Sequence, residues 1–138
     1  MSKRCAKCFI FVVKPCNMDI IALREYALSF TSVEECTPFD DVTLVYKVAG
    51  KMFLCVDMEC PDHIVVHHSP ERGDVLRDEW GEIQPAWHFN KRYWSDVSVV
   101  GDLPESVVRM LIRESYVFTI QHNVTPKALR ERLLSEIE

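Results

Sequence analysis

Three groups of residues in this chain carry side chains that could do chemistry. Cys5 and Cys8 have the spacing at which two thiolates reach one metal ion or each other. A structural zinc needs four ligands, and no second closely spaced Cys or His pair of the usual kind follows, so the two thiols are read as part of an N-terminal appendage. His63 and His67 sit at even spacing in a strand-like run and would share a sheet face, whereas alternation sends His68 to the other; Cys60 and His88 are the remaining metal-ligand types nearby. No H-E-x-x-H arrangement accompanies them, so they are expected to be strand and strand-end histidines, with no metal site and no cofactor.

The third group is the run Trp87-His88-Phe89-Asn90-Lys91-Arg92-Tyr93-Trp94. Aromatic faces can stack on bases while Lys and Arg meet phosphates. The same residues also suit a structural role, with Trp and Tyr filling a core and the long cations lying along its edge.

Catalysis finds little support. There is no G-x-S-x-G elbow, no cysteine stands in a catalytic context, and the four glycines occur singly, so no phosphate-cradling loop is present. The expectation is a protein that is not an enzyme. Charge constrains the partners: Lys3, Arg4, Lys7 and Lys14 all precede the first acid, Asp19, and residues 19–138 carry 12 basic against 21 acidic groups, or −9. Such a body opposes nonspecific phosphate binding unless cations cluster locally, so DNA binding would be weak and salt-sensitive.

Six cysteines without dense regular spacing suggest reduced thiols. The apolar run at 8–13 is shorter than the ~7 residues of a signal-peptide core, and Lys14-Pro15 follows it. A cytoplasmic protein without a membrane segment is therefore expected, since no stretch approaches ~20 apolar residues.

The elements that must position these groups follow from periodicity. Asn17-Met18-Asp19 offers caps for a helix to about Phe30, with Ile20, Leu23, Ala27 and Phe30 forming its stripe. Residues 42–48 and 51–56 read as a β-hairpin about Ala49-Gly50. With a two-residue turn, Leu44, Tyr46, Phe53 and Cys55 would share one face, and Val45, Met52 and Leu54 the other. Both faces are apolar, and helices cover only one face in a two-layer protein, leaving the second for a ligand, partner or subunit.

Residues 63–68 give a third strand, and Ser69-Pro70-Glu71 starts a second helix running towards Trp80. Two further strands are expected around residues 87–89 and 97–100. A long helix after Pro104 carries Val107, Val108, Leu111, Ile112 and Tyr116, and Thr125-Pro126 starts a last one with Leu129, Leu133 and Ile137. The outcome is an α+β domain in two layers, a mainly antiparallel five-stranded sheet covered by helices.

Pro85-Ala86-Trp87-His88-Phe89-Asn90-Lys91-Arg92-Tyr93-Trp94 resembles the P-x-x-H-x-N-K-x-x-W signature of the MmcQ/YjbR family. Gly101-x-Leu103-Pro104, Leu111-Ile112 and Ser115-Tyr116 follow in that family's order. Upstream, Pro38-Phe39-Asp40, Gly50-Lys51-Met52-Phe53 and Ser69-Pro70-Glu71 also match. The resemblance covers residues 18–138 as a single domain and leaves 1–17 as an extension, either disordered or a short extra strand; Met18 falls where members usually begin.

It implies a secretion-chaperone-like two-layer fold. It also implies a DNA-binding "double-wing" role in which protruding hairpins meet the duplex, and it brings no catalytic residues. Two departures stand out: His67-His68 occupies the place of a commoner Lys, and Tyr93 that of a His.

The expected binding residues are therefore Lys47, Lys51, Trp87, His88, Asn90, Lys91, Arg92 and Trp94, with Tyr46 or Tyr93 assisting. Bound to DNA these would make a weak, salt-sensitive interface. The alternative is a small-molecule or protein-partner site in an aromatic pocket around Trp87 and Trp94.

Overall fold

The computed structural model describes residues 18–59 and 61–137. The expectations for 1–17, Cys5, Cys8 and Cys60 fall outside them. The elements are α1 (Ile20–Leu28), β1 (Val33–Cys36), β2 (Thr43–Val48), β3 (Lys51–Asp57), β4 (His63–His67), α2 (Pro70–Glu79), β5 (Ile83–Pro85), β6 (Trp94–Ser98), α3 (Glu105–Asn123) and α4 (Lys127–Ser135). One antiparallel sheet has the order β1-β2-β3-β4-β6-β5.

The sheet holds six strands, the additional one being β1. Its sequence Val-Glu-Glu-Cys has little β propensity of its own, and pairing with β2 makes it a strand. The segment 87–89 is not a strand. Pro85, which cannot donate to a ladder, is the last residue of β5, and the chain turns before Trp94 opens β6 opposite His67.

Helix starts follow the caps in two cases. Asp19 accepts the Ala22 amide at 2.8 Å, and Ser69 accepts that of Arg72 at 3.1 Å. Thr125 does not cap α4: Pro126 holds that position without a side-chain bond.

Ala49 and Gly50 both have positive φ, 50° and 83°, which two-residue hairpin turns of this hand require. Beyond the turn the expected faces are corrected. Tyr46 lies opposite Leu54 and Val45 opposite Cys55, because the register slips between Tyr46 and Lys47. The extra residue is Phe53, a β-bulge. Leu44, Tyr46, Leu54 and Val56 thus join the main core with Phe53, while Val45 and Cys55 are buried outside that cluster.

α3 lies on β2, β3 and β4, and its buried stripe runs Val108, Leu111, Ile112, Ser115, Tyr116, Thr119, Ile120. Tyr116 stacks on Phe30 (4.5 Å), meets Phe53 edge-on (5.3 Å) and donates its hydroxyl to Thr31 O at 2.6 Å. This joins α1, the hairpin and α3 in one core, each large apolar side chain contributing about 1.5–3 kcal/mol by burial.

Candidate nucleic-acid interface

The bulge shapes the site. The β3–β4 ladder stops at Leu54 and Val66, so the next pair, Phe53 and His67, is left open. Ser115 of α3 enters the gap, donating its hydroxyl to Phe53 O at 2.5 Å and accepting the His67 amide at 2.8 Å. Both backbone groups, which would otherwise be buried without partners, are satisfied.

The His67 ring turns to α3, bonding Thr119 Oγ1 through Nδ1 at 2.8 Å; it stacks on Trp94 at 4.3 Å and meets Phe118 edge-on at 4.7 Å. Only 8% exposed, it is driven down to about 4 by burial, with His68 and His122 adding to the effect, and is neutral at physiological pH. His63 instead bonds Asp96 at 2.7 Å, so the two histidines expected to share a face have separate surroundings. Among the described residues no group of three metal-ligating side chains comes together. Burial also pushes the Cys55 thiol up to about 12, which keeps it protonated.

His68 has a structural post. Its Nδ1 meets Ser69 O at 2.8 Å and its Nε2 meets Ser95 Oγ at 2.7 Å; a Cβ at Gly73 would overlap the ring, so α2 approaches this closely only with glycine there. Arg77, on the same helix, donates from Nε to Ser95 Oγ at 3.1 Å. Its Nη2 donates to Lys91 O at 2.5 Å and Trp94 O at 3.2 Å. The guanidinium thereby fixes the connector between β5 and β6. Nothing in the local sequence around Arg77 signals this, since its partners lie 14 to 18 residues away.

The connector is built from turns. Phe89 N donates to Ala86 O, the Tyr93 and Trp94 amides both donate to Asn90 O at 3.0 Å, and Asn90 Oδ1 accepts Arg92 N at 3.1 Å. Trp87 is 70% exposed, with Lys91 Nζ 4.2 Å from the centre of its ring. His88, Lys91 and Arg92 are exposed beside it.

Trp94 instead lines a hollow of about 360 Å³ with His67, Asn90, Tyr93, Phe118, His122 and Asn123. Trp87 is not among its walls, so the two tryptophans do not make one pocket. A second hollow, about 370 Å³, lies across His67 and Phe118 and includes Arg72, Arg113 and Glu114. Phe118, His122 and Asn123 escaped the sequence reading because they sit on the flank of α3 beside its apolar stripe.

Lys47 and Lys51 flank the β2–β3 turn, which lies at the same end of the sheet as His67, Trp94 and the connector. Strand β4 separates the hairpin from β6, a span of roughly 10 Å at ordinary strand spacing. Lys47 is opposite Glu34 in register. Tyr46, expected to assist, is fully buried and donates to Glu35 Oε2 at 2.7 Å; burial raises its pKa.

Register also sorts the charge. At this end the connecting segments 29–32, 49–50, 68–69 and 86–93 contain no Asp or Glu. At the opposite end, 37–42, 58–62, 80–82 and 99–104 contain no Lys or Arg but hold Asp40, Asp41, Glu59, Asp62, Glu82 and Asp102.

These features define an open-sheet α+β domain with one cationic, aromatic end. The YjbR family model matches residues 28–117, and the chain belongs to that family. It is 29% identical over 118 residues to the Escherichia coli K12 "Uncharacterized protein YjbR", covering 85% of this chain and 98% of the relative. It is also 29% identical over 94 residues to "Uncharacterized protein YbdF" of E. coli O157:H7, covering 67% and 77%.

Among solved structures, Deinococcus radiodurans protein DR2400, with domain DUF419, superposes with TM-score 0.78 at 31% identity over 88% of this chain and 91% of that one. A Pseudomonas syringae protein shares the fold, with TM-score 0.60 at 22% identity over 71% and 96%. No helix among the described residues is long and apolar enough to cross a membrane.

Proposed function

We propose that the protein is a non-enzymatic DNA-binding module whose contact surface is the basic end of the sheet. The observation that carries this reading is the sorting of charge: a body at −9 keeps Asp and Glu out of every connection at the end bearing Lys47, Lys51, Lys91 and Arg92. The hairpin tip and the connector act as two projections that meet phosphates, and exposed Trp87 offers a face for a base or sugar once Lys91 moves to phosphate.

Four cations support only a modest electrostatic contribution. The salt slope is at most about −3.6, roughly a 100-fold loss of affinity between 50 and 200 mM salt. Fluorescence anisotropy with labelled duplex and single-stranded DNA at low salt tests this directly. Titrations flat for both would remove the reading.

A second reading, a small-molecule or protein-partner site, is favoured by the hollow containing Arg72, Arg113 and Glu114. Thermal shifts with metabolites and none with nucleic acid would place it first.

A further inference from the structure

The basic end is more than a charged surface, because a walled recess opens beside its cations. The recess of about 360 Å³ has Trp94, Tyr93 and Phe118 as aromatic walls, His67 and His122 as imidazoles, and Asn90 and Asn123 as amides. Its volume is at the small end for ligand sites, enough for one planar heterocycle and too small for the stacked pairs of a duplex. The His67 ring already stacks on Trp94, so Tyr93, 36% exposed, is the wall most open to a stacking base, and Asn side chains match the paired donor and acceptor on a base edge.

The walls are held before any ligand arrives. His67 is stacked on Trp94, met edge-on by Phe118 and tied to Thr119, Phe118 packs on His122 at 4.2 Å, and Arg77 clamps the backbone at Lys91 and Trp94. Asn90 and Tyr93 of the wall bracket Lys91 and Arg92 in sequence, so the strand leaving a seated base meets the connector that carries these two exposed cations, Lys91 now lying over the Trp87 ring. A paired base cannot present its face and edge there without leaving the helix stack.

Resting on the DNA-binding reading above, we infer that the protein takes single-stranded nucleic acid in preference to duplex, seating one unpaired base in the Asn90–Trp94–Phe118–Asn123 recess with the flanking phosphates on Lys91 and Arg92.

The test uses the full chain and fluorescein-labelled strands of about 12 nucleotides, a length within the site sizes of such proteins. Four probes are compared: oligo-dA alone, oligo-dT alone, their duplex, and deoxyadenosine monophosphate. The single strands should bind at least about 10-fold tighter than the duplex and perturb Trp94 emission in a background with Trp80→Phe and Trp87→Phe, the other two tryptophans of the chain. Asn123→Ala with His122→Ala, both exposed at the end of α3, should weaken single-strand binding about 10-fold, the order of one lost base stack, and leave duplex binding unchanged. Lys91→Ala with Arg92→Ala should weaken both.

Equal affinity for strand and duplex, or strand binding indifferent to the Asn123/His122 change, would overturn the seated base while the basic-end reading stands. Mononucleotide binding as tight as the strand would overturn it in favour of a free nucleotide. No binding of any nucleic acid would overturn both readings.

Discussion

The two ends of the sheet differ in what lies beneath their loops. At the acidic end the side-chain bonds lie at the surface: Asp40 accepts the amides of Val42 and Thr43 at 3.0 and 2.8 Å, Asp57 accepts that of Glu59 at 2.9 Å, and Glu82 accepts that of Asp102 at 2.9 Å. The first three span two or three residues and the last spans 20, and all are exposed. The amides of Thr43 and Val42 hold the Asp40 carboxyl below its ordinary range.

The basic end has exposed turn bonds of its own in the connector, but buried, long-range bonds also hold it from beneath. Ser115 reaches Phe53 across 62 positions, His67 reaches Thr119 across 52, and His68 reaches Ser95 across 27. A surface that must hold aromatic rings and cations in fixed relation needs support from beneath, and a solvated carboxylate loop does not. Water-exposed turn bonds contribute little net stability, whereas a buried donor or acceptor stripped of its partner bears its whole desolvation cost.

The comparison can be broken most directly through charge. Replacing Lys47, Lys51, Lys91 and Arg92 together by Glu should lower DNA affinity at low salt by at least about 100-fold, while Asp41→Lys at the other end should change it by less than about 3-fold. Similar effects in anisotropy titrations would mean that net charge, and not its placement, governs binding.

Acid should expose the second difference. The folded His67 pKa, about 4, lies below its unfolded value near 6.5, so the unfolded chain binds the extra proton. Stability is full above about pH 6.5 and falls as pH drops towards 4, by about 3 kcal/mol from this ring. His67→Gln should flatten that part of a urea-denaturation pH profile relative to the parent, and an unchanged slope would show that the ring is not held neutral by burial.

Ser115→Ala leaves Phe53 O and the His67 amide unpaired inside the protein. It should cost about 1–3 kcal/mol in chemical denaturation and loosen hydrogen exchange at the β3–β4 end. Smallest is the contrast between turns: Ser69→Ala, which uncaps α2 under the connector, should cost about 1 kcal/mol, and Asp40→Ala should cost less. If Asp40→Ala proved the more damaging, the acidic end would be the better organised of the two.

Some of this was legible in the chain. The Ser69-Pro70 start, the Asp19 cap, the Ala49-Gly50 turn and the stripe through Val108, Leu111, Ile112 and Tyr116 depend on neighbours within a few residues, and these elements appear where periodicity puts them. β1 was hidden because its Glu34 and Glu35 become strand residues only by pairing with Lys47 and Tyr46. Alternation alone assigns the β3 residues to the wrong faces because a bulge adds one residue and reverses parity, and no residue type announces a bulge at Phe53. Of the expected binding residues, Trp94 and Asn90 line the recess, whereas Trp87 and the Lys91 over its ring are not among its walls and Tyr46 belongs to the core.

By itself the sequence determined which segments are helices and hairpin, through short-range caps, turn chemistry and apolar period, and it supplied the cations and aromatics in one compact run. Only the tertiary structure decided that the loops of one sign gather at one end of the sheet, and that Phe118, His122 and Asn123 stand across from Trp94. Those relations depend on strand register and on how α3 lies over a bulged ladder, and both are settled by packing between residues far apart in the chain.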